Sequence, residues 1–240
     1  ANEIPQHNVN VSAFYMSKFE VSQAEWVAVM QNNPANFAAN GEIHAAVENV
    51  SWYDGILYCN KRSILEGLTP CYSIADTSGT PVTNPNLWPA DWNPSYPDTT
   101  TYQIVCDFNA TGYRFPTEAE WEYAAKAGAD MTYCGTNDIN ELSNYAWYGA
   151  NPYQSHIVGL KTPNVWGLYD MGGNVWEWCW NSYRLYPGTP GTISVANRSL
   201  KITRGAAWNS RNSSMRVTYR NTVIPSLKTN VFGLRLVKKA

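Results

Sequence analysis

The chain has 240 residues and a net charge of −2, with 15% charged and 14% aromatic residues. A chain of this length buries roughly 70–75% of its unfolded surface, so one core over residues 1–240 is expected, and the aromatic content argues against disorder. No apolar run approaches the ~18–20 residues that span a bilayer, and Ala1-Asn2-Glu3-Ile4 lacks a basic and apolar leader pattern; the chain reads as a mature or trimmed soluble form.

Three helices announce themselves in order, each by a hydroxyl placed three residues before a carboxylate. Ser22 with Glu25, Ser51 with Asp54 and Thr117 with Glu120 satisfy free N–H groups and complement the helix dipole. The first helix is expected over about 23–30, with Trp26, Val27 and Met30 at helical spacing and Asn32-Asn33-Pro34 ending it. The second runs over about 52–66, stopped by Gly67, with Cys59 on its core face. Residues 75 to 100 hold five prolines among Asp, Asn, Thr and Gly; this is a loop, anchored by Trp88 and Trp92. Tyr102 to Phe108 alternates as a strand does, and the third helix follows over about 118–127, stopping at Gly128.

The stretch from Gly167 to Trp178, GLYDMGGNVWEW, packs glycines and large aromatics into one short segment. Gly172 and Gly173 permit positive φ or the close approach of another backbone. If the segment is extended, Trp176 and Trp178 share one side and Glu177 takes the other. A closing strand is expected over 235–237, approached from Val231. All 19 acidic residues lie at or before Glu177, whereas 11 of the 17 basic ones lie beyond it. The basic residues are dispersed among Val, Ile, Leu and Tyr, so pairing with the acidic part of the same fold is preferred over nucleic-acid binding.

The turn motif resembles the signature of the formylglycine-generating enzyme domain family, also known for sulfatase-modifying factors, a branch of the C-type lectin fold. Met16 to Ser22, Val47 to Trp52, Gly112 to Ala125, Arg204 to Trp208 and Phe232 to Val237 look like that family in its order. The resemblance implies an α+β fold of small twisted antiparallel sheets, flanking helices and much irregular loop.

The family's enzymes oxidise a substrate cysteine with a cysteine pair placed after the Arg-Gly segment, where thiolates capture copper. Here Cys59, Cys71, Cys106, Cys134 and Cys179 all precede Arg204. His7, His44 and His156 are isolated, which leaves no iron site of the related sulfoxide-forming type. No catalytic residue is assigned, no catalytic cofactor is expected, and a Cys71–Cys106 disulfide is one pairing the odd cysteine set allows. The family often carries a structural calcium at the turn, which here would fall on Gly173, Asn174, Val175 and Glu177. The competing expectation is that Asn174 and Glu177 hydrogen-bond the turn to arginines of the closing strand.

The window from Asn209 to Phe232 is free of acids and rich in small polar residues, close to a paratope in composition. With Arg-Gly-x-x-Trp before it and Gly-Leu-Arg-Leu-Val after it, it is similar to the variable proteins of diversity-generating retroelements. Those proteins diversify AAC codons at their adenines, which cannot yield Lys, Glu, Gln, Met or Trp; between Asn209 and Phe232 only Met215 and Lys228 fall outside the accessible set. The resemblance implies a fixed frame of Trp208, Arg216, Arg220, Pro225 and Gly233. The displayed surface would be Asn209, Ser210, Arg211, Ser213, Ser214, Tyr219, Asn221, Thr222, Val223, Ile224, Thr229, Asn230 and Phe232, with Tyr219 and Arg211 as hot spots. The expected function is non-enzymatic binding of a protein or other macromolecular ligand at a bacterial cell surface, with any membrane anchor supplied by a segment outside this chain. The alternative is a divergent oxidase acting on a cysteine of a protein substrate.

Overall fold

Each capping box forms as its spacing requires. In the computed structural model, which describes residues 3–75, 79–94, 102–149, 153–187 and 200–240, Ser22, Ser51 and Thr117 each accept from the backbone N–H three residues on, and the carboxylate there returns a bond to the cap. Helix α1 (Gln23–Met30) ends on Gln31 in the left-handed region, φ 61°, before the Asn-Asn-Pro cluster is reached. Helix α2 (Trp52–Leu65) stops one residue short of the expected end. Helix α3 (Glu118–Lys126) is closed by Ala127 at φ 49°. A short helix α4 (Leu142–Tyr145) follows, with no side-chain cap to mark it.

Among the described residues the strands are brief and fall into three sheets. Strand β1 (Phe14–Met16) pairs antiparallel with β9 (Val237–Lys239), tying the start of the described chain to its end. Strand β2 (Tyr72–Ala75) lies between β3 (Pro81–Val82) and β4 (Ile104–Cys106). The third sheet has the order β7-β6-β5-β8, from β5 (Trp176–Ser182), β6 (Lys201–Arg204), β7 (Asn221–Val223) and β8 (Phe232–Gly233). The sheets are antiparallel as expected except at one pairing: β8 runs parallel to β5, with Trp176 opposite Phe232, because the chain crosses β6 and β7 before returning to the free edge of β5.

Two further expectations change. The closing strand is split into β8 and β9, and the intervening Arg235 turns its side chain inward. The 75–100 loop holds β3 and one 3-10 turn (Pro85–Leu87), while residues 76–78 and 95–100 of it lie outside the described residues. Trp88 and Trp92 anchor it as expected, buried with ring centroids 4.5 Å apart. One core gathers Trp26, Trp52, Tyr58, Phe115 and Trp178, and a second surrounds Trp121, Met171, Cys179 and Ile202 beneath α3. All five cysteines are free; Cys71 bonds the Gly112 carbonyl at 3.2 Å instead of bridging to Cys106.

Candidate functional site

The glycine-rich turn brings the backbone of Trp147 against β5. Gly173 sits at φ 82°, and a Cβ there would meet the Trp147 carbonyl oxygen at 2.0 Å, so only glycine fits. Asn174 N–H then donates to that same oxygen at 2.9 Å, and Trp208 N–H donates to the Asn174 carbonyl at 2.8 Å. The turn therefore positions the first residue of the C-terminal window's frame directly.

Side chains of the turn are committed to the core. Glu177 receives the Arg235 guanidinium at 2.8–3.0 Å and the Trp121 indole N–H at 2.7 Å, all inside the molecule. Asn174 Oδ1 accepts from His156 N–H at 2.8 Å, and its amide donates to Glu20, whose other oxygen takes Val175 N–H. The side-chain oxygens of Asn174 and Glu177 are thus engaged within the fold, and Glu177 makes the bond to a closing-strand arginine that was the competing expectation to a calcium on Gly173, Asn174, Val175 and Glu177. Among the described residues, no three His, Cys, Asp or Glu side chains are arranged to hold a metal ion. Burial, reinforced by the neighbouring carboxylates, pushes Glu20 well above the usual range; burial also raises Asp170 to about 6. Asp170 Oδ1 is buried without a hydrogen-bond partner.

Five basic residues of the C-terminal part are paired internally, two of them with α3. Arg204 meets Glu122 at 2.6 Å and Glu118 at 3.3 Å, and Arg220 meets Glu118 at 2.6 Å. Arg216 pairs with Glu3, and Lys228 with Asp54 on α2 at 2.7 Å. These are the intramolecular pairs that the charge division suggested.

Around this frame the window runs over the surface. Asn209, Arg211 and Ser213 are exposed, while Ser210, Ser214, Tyr219, Asn221, Thr222, Ile224, Thr229 and Asn230 are half-buried. Val223 and Phe232 are corrected: at 7% and 6% exposure they are core residues. Val223 points inward by the alternation of β7, and Phe232 packs on Trp178 with centroids 5.1 Å apart. Tyr219 leans on Trp176 at 6.0 Å, with the Arg216 guanidinium 5.5 Å from its ring. The backbone is pinned from outside. Gly149 N–H holds the Ser210 carbonyl at 2.8 Å, Asn49 N–H holds that of Thr229 at 2.9 Å, and the Trp208 indole holds that of Asn230 at 3.0 Å. Gly149 and Asn49 were missed in sequence; Asn49, at φ 64°, lies in the Val47–Trp52 motif, which was the available signal.

Cavities of about 430, 620 and 640 Å³ open elsewhere, beside β1 and at the start of α3, and none is lined by the expected contact residues. Every thiol is raised by burial, Cys71 to about 11 and Cys134 to about 12.

Residues 1–240 match the sulfatase-modifying factor enzyme 1-like domain. The chain is 37% identical over 231 residues to the chaperone protein LppX of Paenibacillus barcinonensis, covering 88% of this chain and 75% of that protein. It is 31% identical over 145 residues to the inactive C-alpha-formylglycine-generating enzyme 2 of Mus musculus, covering 54% of this chain and 44% of that one. Among solved structures, Treponema denticola variable protein 1 superposes with a TM-score of 0.82 at 39% identity, covering 98% of this chain and 87% of that one. The α+β architecture is thus the C-type lectin fold of a variable protein. With its whole length matched and its turn, caps and arginine frame in place, the chain belongs to the sulfatase-modifying factor enzyme 1-like domain family.

Proposed function

We propose that this chain is a non-enzymatic display scaffold whose C-terminal window binds macromolecular ligands, at a cell surface by the same resemblance. The observation that carries the reading is how structural and displayed positions divide within the window. Met215 and Lys228, the two residues that adenine changes in AAC cannot produce, are respectively 2% exposed and ion-paired to α2. The framework residues Arg216, Arg220 and Gly233 are likewise held, Gly233 by a Val47 carbonyl that would lie 2.5 Å from any Cβ. Asn209, Arg211, Ser213, Tyr219, Thr222 and Ile224 lie before and between these anchors with side chains at least partly in solvent. The likeness to a variable protein and the lack of any cysteine after Arg204 support binding over oxidation.

A rigid face loses less entropy on binding than a mobile loop, so affinity resides in whichever side chains occupy the displayed positions. A library randomised at those six positions is expected to yield mostly folded members with Tm near that of the parent, and selectable binders to unrelated proteins. If most members fail to fold, the positions are core and the reading falls.

A further inference from the structure

Residues 3–13 cross the surface without helix or strand before β1 begins, and residues 4–10 are exposed. Cavities of about 620 and 640 Å³ lie beneath this segment and share Val9, Val11, Ala119 and Asn181 in their walls. The segment thus bridges open space beside α3 instead of packing on it. Among the described residues, none from Asn8 to Ser12 hydrogen-bonds the rest of the fold.

Its ends are held in different ways. At Phe14 the chain enters the β1–β9 ladder. At the other end Glu3 takes the Arg216 guanidinium on two prongs, Nη2 on Oε1 and Nε on Oε2, and Oε2 also accepts the Thr218 hydroxyl at 2.8 Å. The remaining nitrogen of Arg216, Nη1, donates to the Ser213 carbonyl, and the guanidinium lies 5.5 Å from the Tyr219 ring. One cation therefore sets the backbone at Ser213 and the ring at Tyr219, both displayed positions. His7 adds a second contact of this kind: its ring meets Tyr186 edge-on at 4.5 Å, and Tyr186 lies 4.1 Å from the Arg220 guanidinium. The segment bears on both arginines of the window's frame. A fully exposed ion pair would contribute little, but this one is partly buried, two-pronged and reinforced by a hydroxyl. Without Glu3 the Arg216 head keeps a single carbonyl bond and regains rotamer freedom.

We infer that residues 3–13 are a strap latched onto the displayed face: Glu3 is a positioning residue that holds Arg216 and, through it, Ser213 and Tyr219, and opening of the latch loosens that face. The bearing on ligand binding rests on the display reading above. The latch does not, and its test needs no ligand, so a window that yields no binders while the latch persists sinks the display reading alone.

The experiment follows two readouts in wild type, Glu3→Ala, Arg216→Met and the double variant. One is hydrogen exchange of the Ser214, Met215, Val217 and Tyr219 amides, each bonded to a backbone carbonyl, with the amides of α2 as internal reference. The other is thermolysin cleavage of the strap at the Asn8–Val9 and Asn10–Val11 bonds, followed by mass. Glu3→Ala is expected to speed both roughly fivefold and to leave α2 protection unchanged. Arg216→Met should act alike, and adding Glu3→Ala to it should change cleavage by less than about twofold, the latch being open already. Unaltered window exchange or strap cleavage in Glu3→Ala overturns the assignment. So does an equal loss of protection in α2, which would make Glu3 a general stabiliser. Should Glu3→Ala fail to fold, Glu3→Gln, which keeps an acceptor for Thr218 but not the charge, decides by the same two readouts.

Discussion

Gly172 and Gly173 are neighbours with opposite requirements. A Cβ on Gly172 would find its nearest atom, Met215 Cε, at 3.6 Å, an ordinary contact, whereas Gly173 combines positive φ with the Trp147 carbonyl at 2.0 Å. Gly172→Ala is expected to be neutral or slightly stabilising, and Gly173→Ala to cost about 3 kcal/mol from left-handed strain plus displaced backbone. Chemical denaturation of both variants checks this; equal effects would mean that the pair acts only as a flexible hinge. At Asp170 the sign is set by burial. Its folded pKa near 6 lies above the ordinary 3.8, so the folded state gains a proton in that interval and stability falls as pH rises through it. The full penalty above pH 6 corresponds to about 3 kcal/mol, and Asp170→Asn, which keeps an acceptor for Gly159 N–H, should recover part of it. The expected result is a higher Tm at pH 7 and a flatter profile between pH 4 and 6; a lower Tm at pH 7 would show that attraction to Arg235 outweighs the burial cost.

Among the elements, the helices and the window frame hold together through α3. Glu118 and Glu122 project from its N-terminal half, where the dipole favours carboxylates, and they receive Arg204 and Arg220 from the far end of the chain. The deeper pair, Glu177 with Arg235, joins β5 to the link between β8 and β9, and both residues are fully buried. Removing one partner strands a charge beside Glu20 and Asp170, so Arg235→Met should cost about 3–5 kcal/mol, and the double variant Glu177→Gln/Arg235→Met should recover much of it. Failure of the second change to recover stability would mean that the arginine acts through its bonds to the Ser17, Lys18 and Tyr169 carbonyls. Helices were legible because Ser22, Ser51 and Thr117 act locally, within three residues. Strands β6 and β7 and helix α4 were not, because two- to four-residue elements carry too little periodicity. The parallel entry of β8 and the inward turn of Arg235 depend on contacts over more than fifty residues, which no spacing reveals. For the same reason Glu177 read equally as a calcium ligand or as the partner of an arginine of the closing strand, which Arg235 proves to be, and Val223 and Phe232 read as contacts: their types fit either face, and only the register of β7 and β8 decides.

For the whole molecule, the fold pairs cations of the basic last part with carboxylates of the acidic first part, Arg216, Arg220 and Lys228 of the window among them. Arg211 is the exposed cation among the expected contact residues, so under the proposed function binding would rely on hydrogen bonds and the Tyr219 ring rather than on a charged field. The frame is pinned at Ser210, Thr229 and Asn230 through backbone carbonyls, a form of support indifferent to the side chains it displays. Such a design predicts where sequence change is permitted. Deep sequencing of the codons for Arg204 to Val237 across the source population tests this most directly. The account predicts substitutions concentrated at Asn209, Arg211, Ser213, Tyr219, Thr222 and Ile224, constancy at Met215, Arg216, Arg220, Lys228 and Gly233, and a near-copy of these codons beside a reverse transcriptase. A window that is invariant, or that varies equally at anchors and displayed positions, would contradict it.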